Sequence, residues 1–132
     1  MSPKILVVDD ESDVADLFRQ QFRRELRSGA FVMDFARSAA EALERVAEID
    51  EASLIIIFSD VNMPGMSGLQ LLPKVKALRP SVPVVMITAY GDDDTRRKAV
   101  EQGASDVLPK PVDFADLRQR IKRRLAQLGE RA

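Results

Sequence analysis

The 132-residue chain contains no cysteine and no histidine. Without cysteine there are no disulfides, thiolate metal ligands or thiol nucleophiles, which fits a reducing compartment. Without histidine, imidazole acid–base catalysis, Ser-His-Asp triads and most zinc sites are excluded, so any chemistry falls to carboxylates, lysines and hydroxyls. An excess of charge is lacking too. The 20 Lys and Arg nearly balance 21 Asp and Glu, which argues against nucleic acid or membrane binding by the chain as a whole. No apolar run approaches the roughly 20 residues that span a bilayer, and the opening MSPKILVVDD has no signal-peptide layout. These absences lead us to expect a soluble, cytoplasmic protein. The length suits one domain with its own core, and no linker, repeat or low-complexity tract divides it.

What the chain does have is alternation. Lys4 to Val8 (KILVV), Leu54 to Phe58 (LIIIF) and Val82 to Ile87 (VPVVMI) are short apolar runs rich in β-branched residues, as expected of strands buried on both faces. Val32 to Phe35 and Asp106 to Leu108 read as weaker strands. Between the first two strands Val14, Leu17, Phe18, Phe22 and Leu26 recur at helical spacing. Ser38 with Glu41 reads as a capping box, Asp92 to Asp94 and Asp113 as acidic caps, and Gly103 and Gly129 as left-handed helix terminators. Five strands alternating with five helices give an α/β fold: a parallel sheet with helices on both faces and right-handed crossovers. Pro73 is expected to kink or delay its helix. The basic run Arg118 to Arg124 (RQRIKRR) reads first as the solvated face of the last helix, with a tether or an anion-binding patch as the lesser readings.

In such a sheet ligands bind beyond the carboxyl ends of the strands, near the point where strand order reverses. Strand one ends at Asp9-Asp10, strand three at Asp60, strand four at Thr88, and strand five just before Lys110. Each residue has an ordinary reading: Asp9-Asp10 as a helix cap, Asp60 as a turn residue before Pro64 and Gly65. Their convergence on one rim is harder to explain by capping. Carboxylates about 4 Å apart repel by about 4 kcal/mol per pair at an effective dielectric near 20 and call for a cation. Hard oxygen ligands on short loops suit Mg²⁺.

The stretches VVDDE, SDVNMPGMSG, MITAYG and GASDVLPKP resemble the receiver domain of bacterial two-component response regulators, of the CheY-like kind, from about Lys4 to the end of the last helix. The resemblance implies a single-domain doubly wound flavodoxin-like fold, residues 1–132 with a core about 4–128 and strand order 2-1-3-4-5. It implies Asp60 as phosphoacceptor, a carboxylate nucleophile that forms an aspartyl phosphate. Asp10 and Asp60 would bind Mg²⁺ directly, Asp9 largely through water, and Asn62 through its backbone carbonyl. Lys110, the Thr88 hydroxyl and the Ala89 amide would meet the phosphoryl oxygens. The Lys110-Pro111 peptide would be cis, and the glycines after Asp60 would supply backbone angles that other residues resist. The phosphoryl group would come from a sensor histidine kinase or phosphotransfer protein. The switch would alter the face of the fourth helix, fifth strand and fifth helix (Asp92 to Gln102 and Val107 to Leu128), where an output domain, a partner or a second copy would dock. No direct nucleic acid or membrane contact is expected.

Two departures stand out. Val107 occupies the place, three before the lysine, where many receivers carry Tyr or Phe, which speaks against an aromatic swap at that position; Tyr90, two residues beyond Thr88, could cover or gate the site instead. The stretch from Asp10 to Asp60 is slightly long, which should enlarge the loops at Ser28-Gly29 and Asp50-Ala52. The competing readings are an aspartate-nucleophile phosphatase, an unphosphorylated adaptor and a flavin-binding protein. The first lacks its second aspartate, since the chain reads Asp60-Val61-Asn62; the last would face phosphate with Asp9-Asp10-Glu11. The chemistry expected is therefore regulatory, self-phosphorylation and autodephosphorylation, rather than substrate turnover.

Overall fold

Strand burial sets the architecture. In the computed structural model, which describes residues 2–89 and 93–131 and the side chains of 2–89 and 93–129, the elements run β1 (Lys4–Val8), α1 (Ser12–Gln21), α2 (Arg23–Ser28), β2 (Val32–Ala36), α3 (Ala39–Glu48), β3 (Leu54–Asp60), α4 (Gly68–Leu78), β4 (Val84–Thr88), α5 (Asp93–Glu101), β5 (Asp106–Pro109) and α6 (Phe114–Arg131). The five strands form one sheet in the order β2-β1-β3-β4-β5, every pair parallel. All seven residues of β3, the central strand, are buried.

Helices cover both faces. On one, Ala42, Val46, Leu72, Val75 and Ala99 of α3, α4 and α5 pack on Leu6, Ile57 and Val84. On the other, Phe18, Phe22, Leu117 and Ile121 of α1, its end and α6 pack on Ile5, Val7 and Val85. Neighbours along β1 thus feed opposite cores, as a pleated strand requires. Each large aliphatic or aromatic side chain buried in this way contributes about 1.5–3 kcal/mol. Phe114 completes the second core, its ring edge-on to Phe18 with centroids 5.2 Å apart.

Five details differ from the sequence reading. There are six helices among the described residues, because the first is broken at Phe22 (φ −106°, ψ 20°) into α1 and α2; α2 ends on Gly29 in the left-handed region, at φ 79°. The connections 29–31 and 49–53 are short rather than enlarged. Pro73 neither delays nor ends α4, which starts at Gly68; the proline faces solvent, where a carbonyl left without its amide partner can be hydrated. Gly103 does terminate α5 with φ 104°, whereas Gly129 lies inside α6. Lastly, Ser38 caps α3 by accepting the Glu41 amide at 3.0 Å, but Glu41 accepts from Arg37 N–H at 3.2 Å instead of completing a box.

Candidate functional site

Strand register brings the site together. Val8 pairs with Ser59, Asp60 with Ile87, and Thr88 with Pro109, so the residues that follow these pairs stand on one rim. β1 neighbours β2 on one side and β3 on the other, which makes this rim the place where strand order reverses and ligands bind. Asp9, Asp10 and Asp60 each present a carboxylate oxygen within 4.8 Å of the others. Asp60 is 4% exposed; Asp9 and Asp10 are half-buried.

Three donors reach into this cluster. Lys110 Nζ lies 3.3 Å from Asp60 Oδ2 and 3.8 Å from Asp9 Oδ2. The Asn62 N–H donates to Asp60 Oδ1 at 3.2 Å, and the Glu11 N–H to Asp9 Oδ1 at 2.9 Å. The aspartates do not cap α1, whose N-cap is Glu11 with no side-chain hydrogen bond. Burial lifts the Asp9 carboxyl above its ordinary pKa against the pull of the Glu11 amide, with the Asp60 charge adding to the rise. Burial also pulls Lys110 down, but Asp60 and Asp9 together outweigh it and hold the ammonium above its ordinary value. One ammonium against three carboxylates leaves the cluster net negative. Its donors are all hard carboxylate oxygens, a set that fits a hard divalent cation such as Mg²⁺.

The loop that follows Asp60 explains the run SDVNMPGMSG. Gly65 takes φ 77°, a conformation costly to residues with a Cβ. Gly68 has a different role from the one its neighbour suggests. A Cβ there would lie 2.1 Å from the Asp60 carbonyl oxygen and 2.9 Å from Val61 Cα, so α4 starts hard against the end of β3. Its N–H donates to the Val61 carbonyl at 2.8 Å. Ser67 and Gln70 form a full capping box, each side chain accepting the other's amide at 3.2 and 3.0 Å. The sequence reading missed this box, although the S-x-x-Q spacing before an apolar run signals it.

Thr88 is fully buried, and its carbonyl accepts the Lys110 amide at 2.9 Å, which ties β4 to the lysine. Ala89 follows it, exposed. The Lys110-Pro111 peptide is cis. Val107 is 2% exposed and belongs to the core shared by α3, α4 and α5, away from solvent. Tyr90 and Asp92 lie outside the described residues. The basic run of α6 is less solvated than expected, because helical pitch spreads its side chains around the helix. Arg118 grips Glu25 of α2 and the Gln21 carbonyl, Arg120 reaches Asp106 and Asp116, and Arg124 donates to the Ile55 carbonyl. Lys122 and Arg123 remain exposed.

The response regulator receiver domain model matches residues 5–122. The transcriptional regulatory protein PrrA of Mycobacterium leprae (strain TN) is 35% identical over 131 residues, 99% of this chain and 53% of that protein, so the chain spans about half the length of this relative. Among solved structures, the CheY-like response regulator receiver domain protein of Methanospirillum hungatei JF-1 matches with a TM-score of 0.86 at 26% identity, over 100% of both chains. The CheX-CheY-BeF3-Mg+2 complex from Borrelia burgdorferi matches at 0.77 and 27% identity, over 90% of this chain and 86% of that one. Among the described residues no helix is long and apolar enough to cross a membrane.

Proposed function

The chain belongs to the response regulator receiver domain family, and from that premise we propose that it is a phosphorylation-dependent switch whose phosphoacceptor is Asp60. One observation carries the reading: a nearly buried carboxylate at the tip of the central strand, contacted by an ammonium from β5's end and clustered with two further aspartates.

In the reaction, a carboxylate oxygen of Asp60 attacks phosphorus. The new O–P bond forms as the bond to the donor's leaving group breaks, and that group departs with the electron pair. These residues include no histidine to act as donor; a sensor histidine kinase or phosphotransfer protein fits. Asp9, Asp10, Asp60 and the Asn62 carbonyl would hold Mg²⁺, which when bound offsets the carboxylate charge and that of the incoming phosphoryl oxygens. The Borrelia burgdorferi CheX-CheY-BeF3-Mg+2 complex contains this cation, which supports that choice. Lys110 stands where its ammonium can follow the transferred oxygens, and the Thr88 hydroxyl and Ala89 amide supply further donors on the same rim. Such stabilisation by positioned charge is most of what phosphoryl transfer needs.

Phosphorylation adds about 1.5–2 negative charges beside Lys110 and Thr88, and the response is read on the face of α5, β5 and α6. An output domain, a partner or a second copy docks there. With Val107 committed to the core, the face shifts without an aromatic residue at that position. The chemistry is limited to self-phosphorylation and autodephosphorylation in one cytoplasmic receiver domain. Incubation with a small acyl phosphate and Mg²⁺, followed by intact-mass analysis, tests this. One phosphoryl adduct that requires Mg²⁺ and disappears in Asp60→Ala is expected; an undiminished adduct in that variant overturns the assignment.

A further inference from the structure

The opposite rim of the sheet carries a second charged concavity, unconnected with the carboxylates. Near the N-terminal ends of β3, β4 and β5, between α4 and the later half of α6, lies a cleft of about 400 Å³. Lys76 of α4 and Arg120, Arg123 and Arg124 of α6 line it together with the hydroxyl-bearing Ser81 and Ser105; no carboxylate is among its lining residues.

The hydrogen bonds within the cleft do not discharge it. Lys76 Nζ donates to the Val82 carbonyl at 2.9 Å, and Arg124 donates to the Ile55 and Ser81 carbonyls at 2.9 and 3.4 Å. A carbonyl oxygen takes up a donor but carries no net charge, so the charge of Lys76 remains. Arg120 is matched by Asp106 and Asp116, each at 2.8 Å; no carboxylate lies in ion-pair range of Lys76 or Arg123 among the described residues. Burial, and then the charge of Arg124, depress the pKa of Lys76, a sign that the fold holds two cations close together. An anion between them would relieve that repulsion. Ile56, Pro83 and Val85 add an apolar wall, and the volume falls in the range of small-molecule sites.

We propose that this cleft binds a small phosphorylated anion carrying at least two negative charges. The site uses the part of the basic run RQRIKRR that the phosphorylation chemistry leaves unused, and it stands whether or not Asp60 is the phosphoacceptor.

The test is a titration of the full chain with inorganic pyrophosphate in EDTA, without Mg²⁺, followed by backbone amide NMR shifts. Saturable shifts at Ser81, Ser105 and Gln127 that weaken with added salt are expected. Lys76→Met keeps the aliphatic stem, which lies against Gly103, and removes the charge; combined with Arg123→Gln on the exposed face it should weaken binding about tenfold or more. Phosphorylation at Asp60 should be unchanged in that double variant. Absence of a saturable shift at millimolar pyrophosphate, shifts confined to the surroundings of Lys110, or undiminished affinity in the single variant Arg123→Gln and the double variant alike would each overturn the proposal.

Discussion

Lys110 Nζ lies 3.3 Å from Asp60 Oδ2, a contact that joins the ends of β5 and β3 across fifty positions of sequence. On the proposed reading, this ammonium would meet the oxygens of a phosphoryl group carried on Asp60. Replacing it should separate two properties of the site. Lys110→Ala removes a competing positive charge, so Mg²⁺ should bind at least as tightly. Coupling of phosphorylation to the α5, β5 and α6 face should be lost. Phosphorylation-dependent amide shifts on that face that persist unchanged in the variant would contradict the role given to Lys110.

The three carboxylates oppose one another, so a cation should stabilise the fold. A ligand that binds only the native state adds about 2.7 kcal/mol at one hundred times its Kd. Mg²⁺ should raise the Tm of the wild type accordingly, and Asp10→Asn should abolish most of that rise while increasing the Tm of the metal-free protein. Equal Mg²⁺-dependent rises in both proteins would show that the cation binds elsewhere.

Gly68 is held by close approach and Gly65 by its backbone angle. Gly68→Ala forces a methyl group into the Asp60 carbonyl, a strain of about 1–3 kcal/mol or more if the strand end cannot yield. Urea unfolding should register that loss, and the rate of phosphorylation should fall because the displaced atoms belong to the phosphoacceptor itself. Gly65→Ala, whose Cβ meets nothing within 4 Å, should cost about 1–2 kcal/mol through its positive φ and leave phosphorylation nearly intact. Equal phosphorylation rates in the two variants would count against the close packing of α4 on β3.

Arg118 ties α6 to α2 through Glu25 and stacks 4.9 Å above the Phe22 ring centroid. The Arg118 hydrogen bond is the main reason that the Glu25 carboxyl sits below its ordinary value of 4.5, against the opposing effect of burial. A carboxyl whose native pKa is depressed contributes stability that is present above the ordinary value and is lost as pH falls through the lowered one. Arg118→Ala should therefore cost about 1–3 kcal/mol at neutral pH, and the gap between variant and wild type should narrow in acid below that range. A gap independent of pH would mean that stacking on Phe22 accounts for the loss.

Much of this was legible in the chain. KILVV, LIIIF and VPVVMI read as strands because burial on both faces leaves no polar alternation, and strands that end on charged residues named one rim in advance. What escaped depends on contacts between distant segments or on a choice between local partners. The break at Phe22 carries no proline or glycine to announce it. Gly68 reads like a turn glycine until the end of β3 is seen against it. Glu41 had two amides within reach, and took that of Arg37 over that of Ser38. RQRIKRR reads as a solvated face because the acceptors that draw Arg118, Arg120 and Arg124 inward lie on α1, α2, β5, the start of β3 and the loop before β4, remote in sequence.

The central claim is that the phosphoryl group resides on Asp60. Borohydride reduces an acyl phosphate to the alcohol, so reduction of the phosphorylated protein followed by peptide mass analysis marks the modified carboxyl directly. Homoserine at position 60, formed only after treatment with phosphodonor and Mg²⁺, is the predicted result. Reduction at Asp9 or Asp10, or none in protein whose intact mass shows the adduct, would contradict it.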